Sequence, residues 1–189
     1  MRKTGPADPA SAEPQAALFV GALYGEEAAF SEALSGLTGL FGPALIKTPA
    51  APWEYSGYYR EEMGGRLWRR FVFFEKLVGE GALAEIKLAA VALESGLSAG
   101  GRRRVNLDPG LLSLSRVVLA STKGYSHRVY LGRGIYAEVP LIFRRGRFEP
   151  GVFVYRDYLD QSGLFAEARK AFEGRLKAAA ARGDPPTTP

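Results

Sequence analysis

The chain has 189 residues, 47% hydrophobic and 24% charged, with no cysteine and a single histidine, His127. That make-up suits a globular protein able to bury a core, and it excludes a disulfide framework, a thiolate nucleophile, a cysteine-held zinc or iron–sulfur centre and a zinc site built on several histidines. The net charge is 25 − 20 = +5, and the excess lies in one stretch: residues 102–147 carry 10 basic side chains against only Asp108 and Glu138, whereas residues 16–101 carry 7 basic and 10 acidic.

Met1–Gln15 is rich in Pro, Ala and Gly and reads as a disordered tail, as does 182–189 with its prolines. It has no apolar core of the kind a signal peptide needs. Nor does any apolar run approach the roughly 18 residues of a membrane span. The expectation is a cytoplasmic protein without membrane association, folded as one domain over 16–181.

Ala17–Leu23 is an apolar run suited to a buried strand. Gly25 opens a helix with Glu26 and Glu27 in its first turn. Phe30, Leu34, Leu37 and Phe41 follow at helical spacing, and Gly42-Pro43 stops it. Ala44–Thr48 reads as a second strand. Residues 49–65 are irregular and aromatic, with Trp53, Tyr55, Tyr58 and Tyr59. Leu67–Leu77 is a third strand. Gly81–Leu97 is a helix with Leu83, Ile86, Ala90, Leu93 and Leu97 on one stripe, and Lys87, Val91 and Glu94 on a second stripe that reads as a salt-bridged surface. Arg102–Leu107 is a fourth strand, which Asp108-Pro109-Gly110 is expected to break. The order β-α-β-β-α-β is that of a ferredoxin-like split unit, and the fold class is α+β.

Leu111–Thr122 is apolar and fits helix or strand, with helix favoured. Ser126–Leu131 and Ile135–Phe143 flank Gly132-Arg133-Gly134 and form a hairpin. Residues 147–155 extend this into a meander, and Leu164–Ala180 is a closing helix. If Leu131 opposes Ile135, then Tyr130 faces Tyr136 and Arg128 faces Glu138. Alternation puts His127, Val129, Leu131, Ile135, Ala137 and Val139 on the opposite face, which is expected to be the core. Arg128–Glu138 is then either a register pin or an arginine held to meet an anion.

Other residue types mark chemistry. Histidine as a residue type changes charge near neutral pH, which makes His127 the acid–base candidate, beside the plainer reading of a satisfied, partly buried histidine. Arg104, Asn106 and Asp108 share a strand face. The amide and carboxylate suit a ligand hydroxyl or a hydrated magnesium ion, or else Asp108 caps a helix with proline following. Ser121-Thr122-Lys123-Gly124 is a hydroxyl-rich turn fit for an anion nest or a plain connection. There is no G-x-x-x-x-G-K-[ST], hence no P-loop.

The run Arg104-Val105-Asn106-Leu107-Asp108-Pro109-Gly110 resembles the hallmark box of an uncharacterised bacterial and archaeal domain family, some members of which carry the label GTP-binding protein. The likeness extends through Tyr58-Tyr59-Arg60-Glu61-Glu62-Met63-Gly64, Arg69-Arg70-Phe71, Glu85-Ile86-Lys87, Ser121-Thr122-Lys123, Ser126-His127-Arg128, Gly134-Ile135-Tyr136-Ala137-Glu138 and Tyr155-Arg156-Asp157-Tyr158, roughly residues 17 to 176. It departs at Leu111, where relatives usually show tyrosine. The resemblance carries no activity.

Three functions follow as expectations. The first is a domain that binds, or acts on, a phosphate-bearing small molecule or nucleotide. In it Lys123 and Arg128 clamp the anion, Asp108 with Asn106 holds magnesium or a hydroxyl, Arg104 adds charge and Glu138 orients Arg128. The second is an RNA- or DNA-binding module with Tyr125, Tyr130 and Tyr136 as stacking platforms. The third is a protein-interaction domain using the aromatic loop Trp53–Tyr59.

Overall fold

The computed structural model describes residues 13–55 and 59–182. Most of both expected tails lies outside them, as does Tyr58. Gln15 is no part of a tail: it opens the first strand.

The chain is α+β, built on a nine-stranded sheet whose ladders are all antiparallel. β1 (Gln15–Tyr24) is central, and α1 (Glu27–Phe41) follows it. Gly42, at φ 88, ends α1 by returning its N–H to Thr38 O. β2 (Ala44–Lys47) and the short β3 (Ala51–Trp53) both pair with the long β4 (Leu67–Gly79), and α2 (Arg60–Met63) lies between β3 and β4. α3 (Leu83–Gly96) leads to β5 (Val105–Leu112). The strands β2-β4-β1-β5 stand side by side in that order, and β6 (Arg116–Ser121), β8 (Ile135–Arg144) and β7 (Val129–Gly132) continue the sheet. β9 (Arg147–Pro150) pairs with β8, followed by α4 (Arg156–Asp160) and α5 (Ser162–Arg182).

Alternation along β1 splits the core in two. Leu18, Val20 and Ala22 pack with Phe30 and Leu37 of α1 and Ile86 and Ala90 of α3. Ala17 and Phe19 point the other way, onto Tyr158 of α4 and Phe165 and Phe172 of α5. Helices therefore cover both faces of the sheet, which is why β1 is apolar on both sides. Among the described residues, no helix is long and apolar enough to cross a membrane.

Three expectations fail. First, Asp108-Pro109-Gly110 does not break β5: the strand runs through it to Leu112, paired with β1. Leu107 turns its N–H and C=O away from β1, toward Glu94 and Lys87 of α3. Pro109 shares that orientation, so its missing N–H falls where β6 offers no acceptor, because pairing with β6 starts only at Gly110. Gly110 is required by space: a Cβ there would lie 2.4 Å from Phe19 Cζ and 2.7 Å from Val118 O.

Second, the segment 111–122 holds the end of β5 and the whole of β6, joined by a turn at 113–115, and no helix. Third, the hairpin face expected to be core is core only in part: Ile135 and Ala137 pack inward. Tyr130 does oppose Tyr136, but Gly132 rather than Leu131 opposes Ile135, and a two-residue turn of Arg133 and Gly134 at φ 53 and 78 closes the loop. Val129, Leu131 and Val139 are exposed, whereas the side chains of Arg128 and Glu138 are only 2% and 5% exposed. The ion pair is inside because Tyr155, which accepts from Arg128, covers it, whereas Val129, Leu131 and Val139 lie uncovered.

Candidate functional site

β5 and β6 pair only over Gly110–Leu112 and Val117–Leu119 and then diverge. In the gap, α3 takes the place of a strand. Glu94 Oε1 accepts the Leu107 N–H at 2.5 Å, and Lys87 Nζ donates to Leu107 O at 2.7 Å. A cavity of about 560 Å³ opens there, within the size range of small-molecule sites.

Four walls enclose it. β4 and β5 supply Arg69, Asn106 and Asp108, with Arg103 just ahead of β5. The helix α3 supplies Lys87, Val91 and Glu94. The turn after β6 supplies Ser121, Thr122, Lys123 and Tyr125, backed by Arg128 and by Glu138 of β8. The segment entering α4 supplies Tyr155, Arg156, Asp157 and Tyr158, and Trp53, Tyr55 and Tyr59 close the rim.

Of the residues expected at a site, Asn106, Asp108, Lys123, Arg128 and Glu138 all line this one cavity. Arg104 does not. Its guanidinium pairs with both carboxylate oxygens of Glu32 on α1. His127 stands behind the wall: its Nε2 is 3.0 Å from Glu138 Oε2, and its ring packs on Phe153 at 4.0 Å between centroids. Its place supports Glu138 rather than facing the cavity.

Asp108 is the hub of one network. Its Oδ2 accepts from Arg69 Nη1 at 3.2 Å and from Asn106 Nδ2 at 2.9 Å, and its Oδ1 lies 3.8 Å from Lys87 Nζ. Burial pushes its titration up, but Lys87 and Arg69, with the hydrogen bonds of Arg69 and Asn106, outweigh burial and hold the carboxyl below its ordinary range. It is not a helix cap. A divalent ion at Asp108 would meet two cations already in place, and no cluster of three His, Asp or Glu side chains suited to a metal occurs among the described residues. The donor set therefore does not fit magnesium.

Arg69 also reaches Asp157, with Nε and Nη2 each 3.0 Å from Oδ2. Asp157 further accepts from Trp53 Nε1 and from its neighbour's Tyr158 N–H. This network fastens α4 to β4. Arg128 holds the second network. Its Nη1 donates to Ser121 Oγ at 2.6 Å and Lys123 O at 2.8 Å, and its Nη2 donates to Glu138 Oε1 at 3.0 Å and Tyr155 OH at 2.7 Å. Those four acceptors occupy its terminal nitrogens, so Arg128 fixes the shape of the 121–125 turn rather than extending into the cavity. Burial, then the nearby Glu138, pushes the Tyr155 phenol up to about 12. The Tyr158 hydroxyl is buried without a hydrogen-bond partner.

Arg69, Lys87, Glu94, Arg103 and Asp157 escape a reading by sequence proximity. The stripe Lys87–Val91–Glu94 was the available signal, because two opposite charges on an otherwise apolar helix can face a cavity as well as solvent. It is no exposed stripe: Lys87 and Glu94 are buried in the cavity wall. The aromatic loop also departs from expectation, since Trp53 and Tyr59 pack inward on Leu23, Leu67 and Met63.

The basic stretch is partly neutralised in space. Arg103 pairs with Glu62, Arg104 with Glu32, Arg116 with Glu80 and Arg133 with Glu85. Each joins the cationic segment to the acidic first half of the chain.

Leu111, the departure from the resembled pattern, is buried against the α1 and α3 layer, away from the cavity. No curated protein and no solved structure matches the chain. A family described as Domain of unknown function (DUF4416) matches residues 14–172. With that match spanning the whole of the sheet and most of α5, the chain belongs to this family.

Proposed function

We propose that the cleft between β5 and β6 binds a phosphate-bearing small molecule. One observation carries this reading: a single cavity of about 560 Å³ gathers Arg69, Lys87, Arg103, Lys123, Arg128 and Arg156 against Glu94, Asp108, Glu138 and Asp157, six cations to four acids. A partly enclosed concave surface with net charge 6 − 4 = +2 concentrates field lines on an anion. The hydroxyls of Ser121 and Thr122 add donors, and the rings of Tyr59, Tyr125 and Tyr155 offer a flat flank for a base or sugar. Lys123 is the anion-facing cation of this reading, with Arg103 beside it held by Glu62 and Asn106. Asp108 and Asn106 hold a ligand hydroxyl. Arg128, Glu138 and His127 keep the turn in shape. A GTP-binding role gains no support from a phosphate loop, which the chain lacks.

A thermal-shift series with inorganic phosphate, sugar phosphates and nucleotides, GTP included, tests the proposal. A ligand at 100 times its Kd adds about 2.7 kcal/mol to stability. Lys123→Glu is expected to abolish the shift. A series in which no phosphate-bearing compound raises Tm overturns the reading.

A nucleic-acid surface is the second reading, supported by the exposed rings of Tyr125 and Tyr130. The four cross-segment ion pairs weaken it by consuming cations that would otherwise meet phosphates. Binding that falls steeply with salt would favour it.

A further inference from the structure

We propose that Glu94 is the proton-exchanging residue of the cleft, and that the cleft takes up its dianionic ligand together with one proton held on Glu94 Oε2. This rests on the phosphate-binding reading above and adds a residue and a ligand charge state to it.

Of the four carboxyls that line the cavity, Asp108 and Glu94 differ in their surroundings. Asp108 has donors from Arg69 and Asn106 and the Lys87 ammonium at 3.8 Å. The Glu94 carboxyl accepts the Leu107 N–H at Oε1 and, among the described residues, has no cation within ion-pair distance. Among the described residues nothing bonds its Oε2. The carboxyl is nevertheless buried, at 7% exposure. The charged groups about it are Lys87 on its own helix, Asp108 on β5 and Arg103 ahead of β5; the Lys87 ammonium is turned to Leu107 O.

Burial is the largest influence on Glu94 and carries its titration up to about 7; Lys87, the Leu107 N–H and Arg103 oppose this, and Asp108 adds to it. One carboxyl held ionised beside another held near neutrality is the arrangement that divides acid from base roles within one site. A dianion entering the cleft adds negative charge beside Glu94, which favours its protonated form. The protonated Oε2 then donates a hydrogen bond to a ligand oxygen, whereas the ionised form repels that oxygen.

The test uses sulfate, a dianion with no proton of its own near neutral pH, and inorganic phosphate as the second probe, both on the full chain. Calorimetric titration in two buffers of different ionisation enthalpy reads the protons taken up per sulfate bound. The expected result is uptake of a fraction of a proton that peaks above pH 7 and vanishes near pH 5, where Glu94 is already protonated. Sulfate affinity should weaken about tenfold on raising the pH for every unit by which bound sulfate raises the Glu94 titration. Glu94→Gln should bind sulfate with no uptake and a flat pH profile, since the amide keeps an acceptor for Leu107 N–H. Uptake that is absent in the parent or that persists in Glu94→Gln overturns the proposal. Should Glu94→Gln not fold, the carboxyl 13C titration of the parent decides: a glutamate resonance with its midpoint near 7 that rises with sulfate supports the proposal, and none overturns it. Binding without uptake sinks this inference alone; failure of either anion to bind sinks the phosphate reading with it.

Discussion

Replacing Arg69 by methionine removes the guanidinium that joins β4, β5 and α4 while keeping a stem of similar length to fill the space. The loss can be gauged from what is left behind. Asp157, buried at 6% exposure, loses both of its contacts with Arg69 and keeps only Trp53 Nε1 and the Tyr158 N–H. Asp108 loses one donor but keeps Asn106 and Lys87, and its side chain is 29% exposed to the cavity. Removing one partner of a buried ion pair costs about 3–5 kcal/mol, and the partial exposure of Asp108 places this case at about 3 kcal/mol. For a chain of this size, that lowers Tm by about 6–12 °C.

The pH dependence has a definite sign. Asp108 titrates below its unfolded value, so its contribution is present above the unfolded range and is lost as pH falls through the folded one. The difference between parent and Arg69→Met should therefore be largest near pH 7 and shrink below about pH 4, as the Asp108 carboxyl takes up its proton. Differential scanning calorimetry across that range reads both effects. Asp157→Asn added to Arg69→Met should restore part of the loss, since a neutral amide still accepts from Trp53. A Tm within about 2 °C of the parent, or a deficit that grows on acidification, refutes the view that Arg69 is the bolt between the sheet and α4.

Gly110→Ala should destabilise by about 1–3 kcal/mol, because its Cβ meets Phe19 and the Val118 carbonyl, and urea titration measures it. Arg133→Asn should hold or raise Tm: asparagine tolerates the left-handed φ of 53, and the exposed pair with Glu85 that is lost is worth under about 1 kcal/mol. His127→Phe keeps the stack on Phe153 but strips a partner from the buried Glu138 Oε2, so chemical denaturation should show a loss of about 1–3 kcal/mol. Glu94 titrates higher folded than unfolded, so its stabilising share is full below its unfolded range and is lost as pH rises through about 7. Glu94→Gln should accordingly gain on the parent between pH 5 and pH 8 in paired thermal melts.

β1, α1, β2, β4 and α3 were legible because their signals are local, whereas β3 and α2 fall in the segment read as irregular. Phe30, Leu34 and Leu37 repeat at helical spacing, and the apolar run of β1 is bounded by Gly25. Asn106, Asp108, Lys123, Arg128 and Glu138 were legible as polar groups in one basic stretch, and they do share a cavity. What was hidden depends on tertiary surroundings. Pro109 is tolerated in a strand only because β6 stops short of it. The hairpin face was misjudged because alternation distinguishes two faces without saying which one Tyr155 will cover. Arg69 and Glu94 lie 39 and 14 residues from Asp108 (108 − 69 and 108 − 94), on separate elements, and no spacing rule joins them.

The sheet is left ajar beside β5, and what closes it is an acid rather than another strand. A main-chain amide normally loses its proton to solvent at a rate set by unfolding or local opening. The Leu107 amide is tied to a carboxyl whose own charge changes near neutrality. Its exchange with deuterium, compared with that of Leu111 deeper along the same strand, becomes an internal gauge of whether Glu94 carries its proton, readable without any added molecule.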